Sequence, residues 1–355
     1  MIKPNNICFV FLVILSLVRV SNVQAQDASF SQNYASPLYL SPSFTGLTEG
    51  SRMTLHYRDQ WPSIPGTYRT LAFAFDHYMA DYNSGVGVQF YRDDSGGGLL
   101  VKQNVGLLYA YEIYVNDNVM VRPGLQFKLA QSFIDPTKGT TSDAYDNYGN
   151  LIDQTALDVD RDKLNRFDAA ASVMIYSNFY WAGVTADHLV RNNEAFTDVT
   201  SDTNLKITAF GGYKWVYKEG RRRMPDQSIT FAFNYRKQAD FNQLDVGAYW
   251  VYNPIELGLW YRGLPNANAE GLGNQDAMIA IFGLHLGQMR LGYSFDLTTS
   301  DLTGSGGSHE FSIMYTIPSS NKPKINRSAI PCSQPGYSGG GASRSKYRSR
   351  SRRIF

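Results

Sequence analysis

Five histidines, His56, His77, His188, His285 and His309, are the side chains of this chain best suited to proton transfer near neutral pH. They are scattered, with no H-E-x-x-H pair and no metal-ligand spacing. His309 adjoins Glu310, but neighbours on a strand point to opposite faces. There is no G-x-S-x-G and no phosphate-cradling loop. Seven aspartates fall within 134–162, a supply of hard oxygen ligands suited to calcium. Without ordered D-x-D-x-D-G spacing, the same residues also read as a solvated acidic loop. The expectation is a protein that is not an enzyme, with no catalytic, cofactor-binding or metal residues.

The charges that stand out are instead those embedded in alternating runs. Arg122, Lys128, Arg262, Arg290, Asp296 and Glu310 all fall on the non-aromatic face of period-two segments, beside many Gly, Ser and Ala. In "KQNVGLLYAYEIYV" (102–115) the odd positions are Gln103, Val105, Leu107, Tyr109, Tyr111 and Ile113, and the even ones carry Lys102, Asn104 and Glu112. "ELGLWYR" (256–262), "RLGYSFDLT" (290–298) and "HEFSIMYTI" (309–317) repeat the pattern. Period two with one polar and one apolar face makes half-buried strands. A dry sandwich core cannot accept so many charges. A barrel whose polar face looks inward and whose apolar face meets lipid can.

Composition and the ends of the chain agree with that choice. Residues 1–25 read as a signal peptide: Lys3, an apolar core at 7–18, and Val23-Gln24-Ala25 at the cleavage site. Past residue 25 no apolar run approaches the ~18 residues of a membrane helix. Aromatics make up 14% of the chain and charged residues only 18%, below the ~25% charge usual in soluble domains. Cleavage would leave Cys332 as the only cysteine, so no intramolecular disulfide is available. Between 26 and 317 there are 22 basic residues against 31 acidic ones, whereas the Pro/Ser/Gly/Arg-rich stretch 318–355 carries nine basic residues and no acidic one. An exported chain meets little nucleic acid, so this stretch reads as a disordered periplasmic tail, touching anionic lipid or an acidic partner.

The fold expected is all-β: a transmembrane, antiparallel, up-and-down barrel of about fourteen strands over 50–317. The strands are placed near 51–60, 67–79, 84–93, 99–114, 118–133, 163–177, 178–189, 203–217, 226–238, 241–252, 254–262, 275–286, 288–299 and 307–317. An even number returns both termini to the periplasm and makes 134–162, 190–202, 263–274 and 300–306 outer loops. The opposite connections are mostly short, as at 81–84, 115–118, 177–178, 253–254 and 287–288; the basic stretch 218–225 is the exception.

Ahead of the strands lies "FSQNYASPLYLSPSFTG" (30–46), uncharged, aromatic and proline-broken. Pro37 and Pro42 disfavour regular strand or helix, and the aromatics need burial. Segment 26–49 is expected to start on the periplasmic side and tuck into the lumen as a plug, with Tyr34, Tyr39 and Phe44 on lumen side chains. A periplasmic docking strip and an ordered lead-in are the alternatives. Arg58, Arg122, Arg262, Arg290, Asp296 and Glu310 are expected to form a polar network in the lumen, the alternative being the lining of a selective pore.

The opening segment resembles the start of the PorP/SprF family of Bacteroidetes outer-membrane proteins. The family's Q-D-x-x-F-S-Q run stands here as Gln26 to Gln32, and its N-P-L-Y-x-N-P-A-Y-A-G as Ser36 to Gly46, with Ser36, Ser41 and Phe44 as departures. Phe30, Gln32, Tyr34, Pro37, Tyr39, Pro42, Phe44 and Gly46 are the family-motif or partner-contact candidates in this stretch. "YRDQWP" (57–62) resembles the family's Y-R-x-Q-W and adds Tyr57, Arg58, Gln60 and Trp61. "GGSHEFSIMY" (306–315) resembles its closing strand. The resemblance implies a non-enzymatic, multi-pass outer-membrane component of the type IX secretion system. It would support secretion or surface attachment of client proteins that bear a type IX C-terminal signal domain. It also implies contacts with periplasmic ring or motor proteins and, in some bacteria, a link to gliding motility. A passive diffusion porin is the alternative.

Overall fold

The computed structural model describes residues 29–319 except 49, 64–65, 117, 139–162, 197–200, 219–226, 240, 264–276 and 300–302. The expected signal peptide, nearly all of the basic tail and most of the aspartate-rich loop lie outside the described residues. The strands run in chain order: β1 (Gly50–Gln60), β2 (Tyr68–Met79), β3 (Ser84–Ser95), β4 (Leu100–Tyr111), β5 (Ile113–Asn116), β6 (Val119–Ile134), β7 (Lys163–Tyr176) and β8 (Tyr180–Asp187). They continue with β9 (Lys206–Lys218), β10 (Gln227–Gln238), β11 (Phe241–Tyr252), β12 (Ile255–Gly263), β13 (Ala277–Leu286), β14 (Met289–Thr298) and β15 (Ser308–Pro318). β4 and β5 form one spanning strand interrupted at Glu112, because β6 pairs with both. Fourteen staves result, each antiparallel to its chain neighbours, and β1 closes the sheet by pairing with β15 from Gly50↔Pro318 to Gln60↔Ser308. Closure gives each of the fourteen staves a hydrogen-bonded neighbour on both sides, as lipid demands of a spanning sheet.

Alternation decides which way each side chain points. In β1, Arg52, Thr54, His56 and Arg58 are buried, while Met53, Leu55 and Tyr57 are exposed on the outer wall. In β12, Glu256, Trp260 and Arg262 are inside, while Leu257, Leu259 and Tyr261 face out. A one-residue slip would exchange these two sets, so register is strongly specified. The apolar outside and polar inside are those of an outer-membrane barrel.

The two ends differ. At one end the connections are short: Ala80–Asn83, the β5–β6 turn, 177–179, 253–254 and 287–288. This turn end also holds the start of β1 and the finish of β15. At the loop end sit the longer connections after β1, β6, β8, β12 and β14, although those after β3 and β10 are short.

The assignment of the lipid face can be tested by charge. Leu259, midway along β12 and 69% exposed, is expected to lose ~2–4 kcal/mol on Leu259→Arg in unfolding from lipid vesicles. The same change at Leu189, beyond the loop-end finish of β8, is expected to lose about 0–1 kcal/mol. Equal costs at the two sites would contradict the assignment.

Candidate functional site

Residues 29–48 do not lie outside the barrel; they fill its interior. The prolines that break regular structure here begin short turns. Pro37 opens the one-turn helix Pro37–Leu40, and Pro42 opens the 3₁₀ turn Pro42–Phe44, with Ser41 Oγ accepting from the Ser43 N–H. Proline at a first helical position loses no hydrogen bond, since that N–H has no intrahelical partner anyway. The sequence expectation that Pro37 disfavours helix is therefore corrected: the residue suits one turn and no more.

Three aromatic anchors seat the segment. Tyr34 packs edge-on to Trp181 of β8 (5.5 Å) and Tyr249 of β11 (5.7 Å), with Trp260 of β12 at 6.1 Å. Phe44 lies 5.2 Å from Phe210 of β9. Tyr39 stacks on Tyr91 of β3 at 5.3 Å and meets Phe30 edge-on at 4.9 Å. Phe30, Tyr34, Leu38, Phe44 and Leu47 are all buried, each contributing roughly 1.5–3 kcal/mol if it would otherwise face water. Backbone contact is as close. A Cβ on Gly85 of β3 would lie 2.1 Å from the Thr45 carbonyl oxygen, and one on Gly124 of β6 would lie 2.5 Å from Ser43 N. Gly46 has a φ of +64° and donates its N–H to Asp76 Oδ2 at 2.7 Å.

Charge pairing fixes the segment's start. The Glu310 carboxylate accepts the backbone N–H groups of Ser31 (2.8 Å) and Gln32 (2.9 Å), and Arg58 Nη1 at 2.8 Å. Ser31 Oγ accepts from Arg58 (2.7 Å) and Arg262 (3.0 Å) and donates to Asp296 Oδ2 at 2.5 Å. Arg58 and Arg262 also reach Asp296, at 2.9 and 3.2 Å. Arg262 continues to Asp245 (3.1 Å), which Arg236 reaches at 2.8 Å. Three guanidiniums thus balance three carboxylates in a buried cluster, with His56 Nε2 also bonded to Glu310 at 2.5 Å, and an unpaired charge there would cost several kcal/mol.

Of the six charges marked from sequence, this cluster unites Arg58, Arg262, Asp296 and Glu310. Arg122 and Arg290 stand apart, toward the turn end. Arg122 donates to Glu112 (2.5 Å), to Ser43 O (3.1 Å) and to Thr45 O, while Tyr176 also donates to Glu112 at 2.8 Å. Arg290 pairs with Glu256 at 2.6 Å, and Ser312, at 3.4 Å from Arg290, donates to Gln32 Oε1 at 2.7 Å. Sequence reasoning passed over Glu112, Glu256, Asp245 and Arg236. It also passed over the Arg52–Asp76 pair (2.9 Å), whose arginine donates to Phe44 O at 3.1 Å. Inward parity in their strands was the available signal.

The second motif stretch divides. Arg58 enters the network. Gln60 accepts from Arg58 Nε at 3.4 Å, and Trp61 sits at the loop-end rim, its N–H donated to Gly307 O at 2.8 Å. Tyr57 points outward, 37% exposed, away from the segment. Asp168, Asp187 and His188 are the one potential metal-ligand trio among the described residues. Lys128 (2.9 Å from Asp168) and Lys206 (3.2 Å from Asp187) already provide its cations.

The segment's course is unexpected. Ser31 bonds near the loop-end limits of β14 and β15, whereas Gly46 lies beside Gly85 at the turn-end start of β3. The chain therefore descends through the lumen before entering β1, rather than beginning at the turn end. Above it, a cavity of about 410 Å³ lies toward the loop end, and Asn33, Tyr39, Leu40 and Pro42 form part of its wall.

Breaking the network has a definite expected result. Glu310→Ala removes the hydrogen-bond partner of two backbone N–H groups, of Arg58 Nη1 and of His56 Nε2, leaving Arg58 only Asp296 as a counter-charge, which should cost ~3–5 kcal/mol. A cysteine at Ala35, which is 3% exposed, should resist maleimide in the parent barrel with Cys332→Ser and react in the Glu310→Ala variant. The heat-modifiable gel mobility of a closed barrel should persist. Gly85→Val should expose the same cysteine by steric displacement of Thr45.

Comparison with known proteins adds the following. The model for "Type IX secretion system membrane protein PorP/SprF" matches residues 22–315. No curated relative matches by sequence. Among solved structures, the chain is similar to the CymD monoaromatic hydrocarbon channel, with TM-score 0.48 and 11% identity over 84% of this chain and 96% of that one. A Pseudomonas aeruginosa FadL homologue scores 0.40 at 12% identity, covering 75% of this chain and 90% of that one. The KdgM porin scores 0.35 at 7% identity, covering 75% and 99%. With most of its described length matched and its fold an outer-membrane β-barrel, the chain belongs to the PorP/SprF family of type IX secretion system membrane proteins.

Proposed function

We propose that this outer-membrane component of type IX secretion is a plugged, non-enzymatic holder and not a conduit. In this reading the loop end faces outward, the finish of β15 is periplasmic, and segment 29–48 is the plug, its first residues lying toward the outer face. The loop end engages a surface client bearing a type IX C-terminal signal domain. The turn end meets lipid headgroups and the periplasmic ring or motor proteins, which in a gliding cell would link it to motility.

The observation that carries this is the filled interior. Segment 29–48 reaches side chains or backbone of β1, β2, β3, β6, β7, β8, β9, β10, β11, β12, β14 and β15. Such a segment occupies the turn-end half of the lumen, and a cavity remains beside it toward the loop end. A fourteen-stranded barrel without it would hold water.

Comparing the surface and secreted proteins of a deletion strain with its parent tests the role. Loss of one or a few large surface proteins is expected, and restoring the gene should bring them back. Loss of every type IX substrate would make the barrel a core part of the apparatus. An unchanged proteome would sink the secretion role. The passive-porin alternative is tested in planar bilayers: the parent protein should show negligible conductance, and deletion of 29–48 should open it. Steady conductance from the parent would favour the porin.

A further inference from the structure

We propose that the loop-end vestibule is a binding site for a neutral carbohydrate. Its volume, about 410 Å³, lies within the ~300–1,000 Å³ typical of small-ligand sites.

Three features select the chemistry. First, the charged side chains lining the cavity already have protein partners: Lys102 pairs with Glu194 (3.2 Å), Lys206 with Asp187 (3.2 Å) and Arg236 with Asp245 (2.8 Å), while Asp93 accepts from the hydroxyls of Thr70 (2.7 Å) and Ser95 (3.2 Å). A charged ligand would have to break one of these pairs, whereas a neutral one need not. Second, three lining glutamines are each held at one end and present the other. Gln60 accepts at Oε1 from Arg58 (3.4 Å) and leaves Nε2 as a donor. Gln238 donates to Asn204 O (3.4 Å) and Gln243 donates to Asp245 (2.7 Å), so each leaves Oε1 as an acceptor. Anchored amides of both polarities suit hydroxyl groups, which donate and accept at once.

Third, aromatic faces stand beside these amides. Trp61 and Tyr68 meet edge-on at 5.6 Å on the rim and Phe241 lines the wall, while Tyr39, also in the lining, is stacked on Tyr91 at 5.3 Å. Trp61 is held there in a left-handed backbone conformation, φ +57°, secured by its N–H bond to Gly307 O at 2.8 Å. A bulky residue at positive φ is uncommon, and such conformations concentrate at functional sites as well as at turns. A pyranose ring offers C–H faces to aromatics and equatorial hydroxyls to amides, so one ligand class uses both sets of groups.

This site is independent of the client-holding role, because it is read on purified protein. Tryptophan fluorescence would be followed while the detergent-solubilised barrel is titrated with maltose, cellobiose and chitobiose. Glucuronate, tri-alanine and lipopolysaccharide polysaccharide would be tested in parallel. Saturable binding of at least one neutral saccharide is expected. Its affinity should fall at least tenfold in Gln238→Ala and, by calorimetry, in Trp61→Ala, but less than threefold in Trp61→Phe, with gel mobility confirming a folded barrel each time. Tighter binding of the lipopolysaccharide polysaccharide than of free disaccharides would place the source on a lipid-borne glycan; the reverse order would point to free sugar. Preference for glucuronate or tri-alanine, absence of saturation with every saccharide, or binding indifferent to Trp61 and Gln238 would overturn the proposal.

Discussion

The structure depends on one constraint: charges placed inside a barrel must find partners there. Glu310 meets it by accepting two backbone N–H groups from Ser31 and Gln32 together with Arg58. Those amides belong to no strand, so without the carboxylate they would be buried donors lacking partners, each costing about 1–3 kcal/mol. Conversely, without the segment, Arg58, Arg262 and Asp296 would lose the hydroxyl of Ser31 at the centre of their cluster. Barrel and segment each complete the other's hydrogen bonding. A lumen built this way is a core made of ion pairs, and its polarity does not imply a water-filled pore.

Packing follows the same logic. The interior face carries Trp181, Tyr249 and Trp260 around Tyr34, and Phe210 against Phe44. These are large aromatics on a face that a wide aqueous channel would keep polar. Glycines 85 and 124 remove side chains where the segment's backbone touches the wall. The sequence therefore spends small residues, aromatics and charges at specific heights of the barrel. The vestibule toward the loop end differs in kind: its charged side chains have protein partners, and amides and aromatic rings share its wall.

Much of this was legible in the residues because β-structure in lipid is a two-sided problem with period two. The alternation at 102–115 and 256–262 located strands within a few residues of their ends and assigned Arg262 and Glu310 to the inside. Glu112 and Glu256 were harder to read because a lone inward acid says nothing of its partner; each becomes meaningful only when register brings Arg122 or Arg290 alongside. Tyr57 shows the opposite limit. It shares a motif with Arg58, yet strand parity sends it to the lipid face. The course of segment 29–48 was not legible, since prolines state where regular structure stops and not where the chain goes next. Its descent from the loop end emerges only from contacts more than 200 residues apart in sequence, such as Ser31 with Asp296.

The central claim, that residues 29–48 are as much a part of the folded barrel as its strands, is most directly tested by hydrogen–deuterium exchange in detergent or nanodiscs. Peptides covering 30–48 should exchange as slowly as those from β1 and β15, because their amides are buried and the segment cannot open without breaking the Glu310 cluster. Rapid exchange across 30–48 beside slow exchange in those strands would contradict the account, leaving the segment a loosely seated occupant of an otherwise self-sufficient barrel.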